Sequence, residues 1–333
     1  MILYLLDSNF NRIAFIDQYV SLIWTDRYWD IGDFELYVNA NTDIPYSKGL
    51  YLQKADDTTG RLMRIEEIKL TEDEENGDYF TISGAGFEKI LASRIIWNKT
   101  RITGNAESCL YNLFRECFSI STIAGRNIAA LSVAELKGLT GDMSGVYNGE
   151  ELLEIVMNTC KGCGFGFRLN NFVFEIYKGV DRSFSQNVND FVVFSPDFGN
   201  LAKSDYTQDI SAQKNVCLAY SESSQTAYGR LMYTAGSGSG FNRHEVFTDC
   251  GNEEDTLILE TAADDMLAQT EDKNAFEGEI IVKSGWQNDF GLGDIVQLAN
   301  DYGNTGKVRI IEIIESDSAE GYSIIPTFEV VSE

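Results

Sequence analysis

The sequence has little proline, a single histidine and no long apolar run. Three prolines in 333 residues exclude a stiff extended linker, which needs repeated proline. Any Ser-His-Asp or Cys-His site would have to use the one histidine, His244. No apolar run approaches the roughly 18–20 residues of a membrane span, and the first residues lack the basic segment of a signal peptide. We therefore expect synthesis in a cytoplasm, with the six cysteines as free thiols.

Basic residues are scarce as well. Lys and Arg number 26 against 52 Asp and Glu, for a net charge of -26. Because phosphate binding needs clustered Lys and Arg, such a surface disfavours stable binding of nucleic acid or anionic membranes. Two interpretations stay open: the acidity serves solubility, or it lets DNA pass without sticking. The hydrophobic content of 44% indicates a globular protein of two or three domains.

Hydrophobic periodicity predicts three regions. Residues 1–97 read as short strands separated by turn residues, with a hairpin turn at Asn76-Gly77, which predicts an antiparallel β-domain. Residues 98–195 contain two helical patterns, the first with Leu110, Leu113, Phe114 and Cys117 on one face, and a hairpin turning at Asn170-Asn171, which predicts an α+β unit. In the second helix, Asn148 is the expected N-cap, and Gly162 or Gly164 the expected stop. Residues 196–333 return to strands, with one helix at about 256–271.

Two segments near opposite ends of the chain resemble each other. Residues 49–53 read GLYLQ and residues 293–297 read GDIVQ, and a turn-rich loop follows each. The next strands share further positions: Arg64 matches Arg309 and Glu67 matches Glu312. Because strand, glycine turn, strand, loop, strand and acidic hairpin recur in one order, we interpret the two ends as an internal repeat. The predicted fold class is mixed β and α+β, with two related small antiparallel β-barrel domains flanking a smaller α+β unit.

The glycines of the second copy could indicate a phosphate-binding loop. Such a loop follows a strand and opens a helix, so that backbone N–H groups face the anion. Gly291 and Gly293 instead precede a strand pattern, residues 295–298, and no Lys-Ser/Thr pair follows. The pattern therefore predicts a turn that begins a strand.

No pattern of residues indicates catalysis. His244 lies in a strand pattern, and no G-x-S-x-G surrounds a nucleophile. Cys160 and Cys163 form a C-x-x-C that ends a helix instead of starting one, the latter following the helix end, and no second pair completes a zinc site. We predict no catalytic, cofactor-binding or metal-binding residues, and no cofactor. The four tryptophans lie in or beside strand patterns and are expected in the core or at interfaces: Trp24, Trp29, Trp97 and Trp286.

Extended strings across almost the whole chain resemble the hub proteins of siphophage tails and of prophages of Gram-positive bacteria. The strings are LDSNFNRIAFIDQYVSLIWTDRYWDIGDFELYV, RIIWN, YKGVDRSFSQ, FSPDFGNL, GSGSGFNRHEVF, GLGDIVQL and PTFEV. The resemblance implies a structural protein of the tail tip or baseplate and identifies no active site. The chain ends soon after the second copy, so we expect host contact or wall lysis to come from another polypeptide.

The resemblance also implies an assembly. Such hubs are homotrimers in which two barrels per chain form a pseudo-hexameric ring that closes the tail tube and lets DNA pass. The implied partners are the distal tail or tube protein ring, the tape-measure protein, and a tip fibre or receptor-binding protein. Stable nucleic-acid binding and a membrane span are not expected. The implied location is the virion tail tip.

Three alternatives remain at this stage. The first is the equivalent hub of a phage-derived contractile particle or injection device, which neighbouring sheath genes would identify. The second is a carbohydrate-binding receptor module, which would need exposed aromatic platforms. The third is a cell-wall hydrolase, which the single histidine and the missing metal motif disfavour.

Overall fold

The computed structural model describes residues 1–42, 44–72, 77–222, 229–270, 273–280, 290–299 and 305–331. Asn76, expected in a hairpin turn, and Trp286 lie outside these ranges. The described residues are mostly β structure with few helices. None of the helices within them is long and apolar enough to cross a membrane.

Alternation of apolar and polar side chains explains the strands of the N-terminal part. In the strand Asp33–Asn39, Phe34, Leu36 and Val38 are buried and Glu35 is exposed. The strands are β1 (Leu3–Leu6), β2 (Arg12–Ile16), β3 (Ser21–Arg27), β4 (Asp33–Asn39), β5 (Tyr51–Lys54), β6 (Met63–Thr71) and β7 (Tyr79–Gly86). They form an antiparallel sheet in the order β3-β4-β7-β6-β5-β1-β2, which we call the first repeat (residues 1–86).

The middle of the chain packs helices against short sheets, as expected for an α+β unit. Its elements are a 3₁₀ helix (Phe87–Ser93), β8 (Thr100–Asn105), α1 (Ala106–Phe118), a second 3₁₀ helix (Ala124–Arg126), β9 (Ser132–Val133), β10 (Asp142–Tyr147), α2 (Leu152–Cys163), β11 (Gly166–Asn170) and β12 (Val173–Tyr177). The face predicted for α1 is buried: Leu110, Leu113, Phe114 and Cys117. We call residues 87–177 the middle unit.

Details of this unit differ from the prediction. Asn148 and Gly149 form a bend after β10, and Glu151, which bridges to Ile95, directly precedes α2, so Glu151 and not Asn148 is its N-cap. Cys163 is the last residue of α2 and does not follow it; Gly164 ends the helix in the left-handed conformation, as one of the two expected stops. The hairpin turns one residue later than expected, because Asn170 still pairs with Val173.

The C-terminal part contains a second set of mostly antiparallel strands and a separate small unit. Its elements are β13 (Val193–Phe194), a 3₁₀ helix (Pro196–Phe198), β14 (Leu201–Asp209), β15 (Val216–Glu222), β16 (Arg230–Gly236), a 3₁₀ helix (Gly240–Asn242), β17 (Glu245–Asp249), α3 (Thr256–Gln269), β18 (Lys273–Ile280), β19 (Ile295–Ala299), β20 (Thr305–Ser318) and β21 (Gly321–Val330). The helix and the strand beginning at residue 295 match the prediction. We call β13, β14 and β18 to β21 the second repeat.

The small unit lies within the second repeat. Its sheet has the order β16-β15-β17, and α3 packs on it. The core is its own and contains Cys217, Ala219, Ala235, Leu259 and Ala263. The first repeat connects β3 to β4 through five residues, whereas the second places this inserted unit (residues 214–270) between the corresponding strands β14 and β18. The sequence patterns did not separate the inserted unit from the surrounding sheet.

The two repeats have the same strand order and the same irregularities. The order β14-β18-β21-β20-β19 corresponds to β3-β4-β7-β6-β5. A bulge follows Ile65 in β6, and another follows Ile310 in β20. Gly49 donates its N–H to the Ile65 carbonyl at 2.8 Å, Gly293 donates to the Ile310 carbonyl at 2.8 Å, and both glycines have φ of 86°. The internal repeat is therefore confirmed in strand order and hydrogen bonding.

Closure into barrels is a separate matter. The described pairings join both repeats into one 13-stranded sheet, because β3 pairs with β20. They do not close either repeat on itself, so the two expected barrels stay a prediction, as do the expected domain boundaries at 97/98 and 195/196.

Candidate functional site at the junction of the two repeats

The repeats meet through the edge strand of the first. β3 runs antiparallel to the C-terminal part of β20 (residues 312–318), called its distal half, with Arg27 opposite Glu312 and Ser21 opposite Ser318. The proximal half of β20 pairs with β19 instead. One edge of β20 thus pairs with a strand of its own repeat along one half and with β3 of the first repeat along the other. The two repeats are therefore joined by a continuous ladder of backbone hydrogen bonds.

Ion pairs fix this ladder. Arg27 Nε lies 2.6 Å from Glu312 Oε2. Lys54 pairs with Glu315, and the two side chains are only 12% and 8% exposed. Glu315 also accepts a hydrogen bond of 2.5 Å from the Tyr322 hydroxyl. Removing one member of a buried pair leaves an uncompensated charge, at a cost of about 3–5 kcal/mol. The junction is therefore sensitive to the loss of either partner.

Tyr28, directly after β3, connects both repeats to the middle unit. It is fully buried, and burial raises the pKa of its hydroxyl, which keeps the proton that it donates. The hydroxyl donates to the Gly164 carbonyl at 3.0 Å and accepts from the Gly179 N–H at 3.3 Å. A Cβ on Gly293 would lie 2.2 Å from the Tyr28 ring, and one on Gly166 would lie 2.3 Å from it. Glycine is thus required where these segments contact the ring.

Asp294 explains the turn before β19. It is 6% exposed, and its carboxylate accepts from Val180 N–H at 2.7 Å, Arg182 Nε at 2.8 Å and Gly291 N–H at 3.0 Å. Because the carboxylate is negatively charged and already accepts these three hydrogen bonds, the turn repels a phosphate instead of binding one. The interpretation of this segment as a strand-opening turn is confirmed, although sequence reasoning did not single out Asp294 or Tyr28.

A cleft of about 600 Å³ opens where both repeats and the middle unit meet. Its walls carry charges of both signs, and several of these are paired. Arg61 Nη1 lies 3.1 Å from Asp26 Oδ2, and Arg61 also faces Glu88 at 4.0 Å. Burial raises the pKa of the Glu88 carboxyl, and the charge of Arg61 opposes that rise. The cleft is therefore a polar seam held by ion pairs.

The residues that could indicate catalysis lie elsewhere. His244 is exposed beside β17 in the inserted unit, where its backbone N–H, and not its imidazole ring, donates to Asn215 Oδ1 at 2.9 Å. Cys160 is buried in α2, and burial raises the pKa of its thiol, which disfavours the reactive thiolate. Cys163 is partly exposed, with Sγ 3.7 Å from the Asp142 carbonyl. Within the described ranges, no group of three or more His, Cys, Asp and Glu side chains is placed to hold a metal ion.

The tryptophans divide between core and surface. Trp24 is 1% exposed, and the Lys54 ammonium lies 4.9 Å from its ring centre. Trp29 is half-buried. Trp97 is 61% exposed, with the Arg126 guanidinium 5.6 Å from its ring.

A second cleft, of about 410 Å³, separates the middle unit from the inserted unit. Its lining includes six carboxylates: Asp142, Glu150, Glu154, Glu260, Asp264 and Asp265. Burial, followed by repulsion from Asp264, raises the pKa of Asp265 to about 6. Sequence reasoning missed this cluster because acidic residues are common along the chain and only the fold brings these together.

Comparisons with known proteins agree with this architecture. The sequence model of the siphovirus ReqiPepy6 Gp37-like proteins matches residues 2–328. The fold is similar to three crystal structures: the 43 kDa tail protein of prophage MuSo2 from Shewanella oneidensis (TM-score 0.61, 11% identity, 98% of this chain and 98% of that chain covered), a tail protein from Neisseria meningitidis MC58 (0.60, 11%, 98% and 95%) and the prophage tail protein gp18 from Listeria monocytogenes EGD-e (0.57, 12%, 98% and 94%). Curated protein sequences give no significant match.

Proposed function

The chain belongs to the siphovirus ReqiPepy6 Gp37-like protein family, and from this premise we propose that it forms the hub at the tip of a phage or prophage tail. It is a phage tail protein and a structural component of the virion. In the proposed hub, three chains form a ring of six repeats that closes the tail tube, connects it to the host-contacting tip and lets DNA pass.

The observation that carries the proposal is the pseudo-symmetry within one chain. The two repeats share strand order, bulge position and the glycine turn that precedes β5 in the first repeat and β19 in the second. A threefold axis acting on a chain with two equivalent units produces six quasi-equivalent units. Such a ring fits a sixfold tube on one side, while the unrepeated middle and inserted units keep threefold symmetry for the tip on the other.

The proposed position determines the partners. The ring of repeats would contact the distal tail or tube protein, and the tape-measure protein would end at the same level. The units that do not repeat would carry a tip fibre or a receptor-binding protein. The chain would reach this position after synthesis in the host cytoplasm.

The charge of -26 supports a role in DNA passage. Carboxylates on a channel wall repel phosphates, whereas Lys and Arg would hold DNA through counterion release. We expect more Asp and Glu than Lys and Arg to face the threefold axis. We also propose that the protein has no catalytic centre, because its charged cleft is occupied by structural ion pairs.

Electron cryomicroscopy of tails that contain this protein would test the proposal. The expected map shows the chain as a threefold hub in which first and second repeats alternate around the channel. A hub of another symmetry, a position away from the tip, or a markedly basic channel wall would contradict it.

A further inference from the structure

The contact between β3 and β20 inside the chain has an unused counterpart. Counting across the sheet from the matched bulges identifies equivalent positions. In the first repeat the path runs through Ile65, Gly84, Phe34 and Trp24. In the second it runs through Ile310, Phe328, Phe276 and Tyr206. The strand β3 therefore corresponds to β14. The distal half of β20 corresponds to the distal half of β6 (residues 67–71).

Neither counterpart is covered by another described strand. β14 is the terminal strand of the sheet and pairs with β18 on one side. β5 pairs with β6 only at Met63 and Arg64, so beyond Ile65 the pairing of β6 in the described structure is with β7. Two edges that correspond to a complementary pair are thus both left open, and an open strand edge is a template for pairing with another chain.

Exposure at equivalent positions shows what the missing strand would cover. Ile313 in β20 is 4% exposed beneath the junction, whereas the equivalent Ile68 in β6 is only half-buried. Glu315 is 6% exposed, whereas the equivalent Leu70 is 50% exposed. The first repeat therefore presents apolar side chains where the second repeat is covered by β3 and its neighbours.

We propose that β14 of one chain adds to the distal half of β6 in a second copy of the chain, in head-to-tail fashion. The register follows from the intrachain ladder, in which Arg27 lies opposite Glu312 and Thr25 opposite Ile314. Transferred to the equivalent strands, Asp209 lies opposite Glu67, Thr207 opposite Lys69 and Asp205 opposite Thr71. The number of chains that close the ring rests on the proposed hub function, but the strand contact itself does not.

One pair in this register differs from its intrachain counterpart. The salt bridge between Arg27 and Glu312 is replaced by two carboxylates, Asp209 and Glu67, both of which are exposed in the single chain. Like charges directly opposite each other weaken a strand pair. The interchain contact is therefore weaker than the intrachain one, and it closes when the neighbouring tail proteins hold the chains together. A hub that does not close alone remains available for assembly.

Disulfide cross-linking in assembled tails tests the contact. Tails carrying Lys69→Cys and Thr207→Cys in the same chain are expected to give cross-linked multimers on mild oxidation, because both positions are exposed and opposite in the register. Tails with either substitution alone, and parent tails with the six native cysteines, are expected to stay monomeric under denaturing electrophoresis. Absence of multimers from the double variant, or a dimer from Lys69→Cys alone, would overturn the inference.

The same gel separates the inference from the hub function. A ladder that stops at three chains supports both. A ladder that passes three chains or stops at two confirms the strand contact but contradicts the threefold hub. A threefold map without these cross-links leaves the hub function and removes the contact.

A charge substitution provides a second, independent test. Asp209→Arg restores the pattern of Arg27 and Glu312, so self-association of the purified chain should tighten about fivefold per contact, the scale of an exposed ion pair. Asp197→Arg is the matched control, since it makes the same charge change at an exposed position outside the edge. Sedimentation velocity over a concentration series measures both. Equal tightening by the two variants, or none by Asp209→Arg, would contradict the register.

Discussion

The pair Lys54 and Glu315 offers a quantitative test of how the two repeats are joined. Lys54→Met alone leaves the Glu315 carboxylate buried without its cation, and Glu315→Leu alone leaves the ammonium. With side chains 12% and 8% exposed, each single change should lower the free energy of unfolding by about 3 kcal/mol. The double variant replaces the ions by apolar groups of similar size, and leucine is the residue at the equivalent position of the first repeat, Leu70.

The double variant should therefore lie within about 1 kcal/mol of the parent, since buried ion pairs are often replaced by apolar side chains at little cost. With each single change at about 3 kcal/mol, the coupling energy should then be about 5 kcal/mol, above the roughly 0.5–3 kcal/mol usual for residues in contact. Urea unfolding followed by tryptophan fluorescence is suited to the measurement, because Trp24 lies against Lys54.

The chain contains its own control for this cycle. Lys89 and Glu66 are 2.6 Å apart but 49% and 34% exposed. The cycle Lys89→Met, Glu66→Leu should give a coupling energy below about 1 kcal/mol, as for surface pairs. If the two cycles gave equal coupling, or if the costs at Lys54 and Glu315 simply added, the argument from burial would be refuted.

Three further outcomes are expected for substitutions at Gly293, Asp265 and His244. Gly293→Ala should destabilise the protein by about 2 kcal/mol or more, because the new Cβ would clash with the Tyr28 ring and φ is 86°. Gly291→Ala should be nearly neutral, because a Cβ there has no atom within 4 Å. Thermal unfolding compares the two variants, and equal losses of stability would contradict the packing argument. Because the pKa of Asp265 is raised to about 6, the folded state loses stability as the pH rises from about 4 through 6. Asp265→Asn should therefore stabilise the protein at pH 7 by about 1–2 kcal/mol, after allowance for partial exposure, and should have little effect at pH 4. A gain in stability that does not depend on pH in urea titrations would exclude this cause. His244→Ala should leave the infectivity of assembled particles intact, and lost infectivity with an unchanged fold and normal assembly would argue for a role of this side chain beyond structure.

Much of the fold could be predicted from local patterns. Alternating side chains located the strands of the first repeat, and the spacing of Leu110, Leu113, Phe114 and Cys117 located the buried face of α1, because each pattern is set by backbone periodicity alone. The shared glycine, arginine and glutamate positions indicated the repeat, and the strand order confirms it. The resemblance to phage tail proteins is likewise confirmed by the family match over residues 2–328.

The site depended on contacts that no local pattern encodes. Sequence alone determined that Gly293 opens a strand, but only the tertiary structure brought the Tyr28 ring from more than two hundred residues away to exclude a Cβ there. The sequence likewise could not show that the distal half of β20 is covered by β3 while the equivalent half of β6 is open, since the two strands have similar patterns. Periodicity specifies which face of a strand is apolar, whereas the neighbour at its edge depends on backbone hydrogen bonds, which every sequence without proline offers equally.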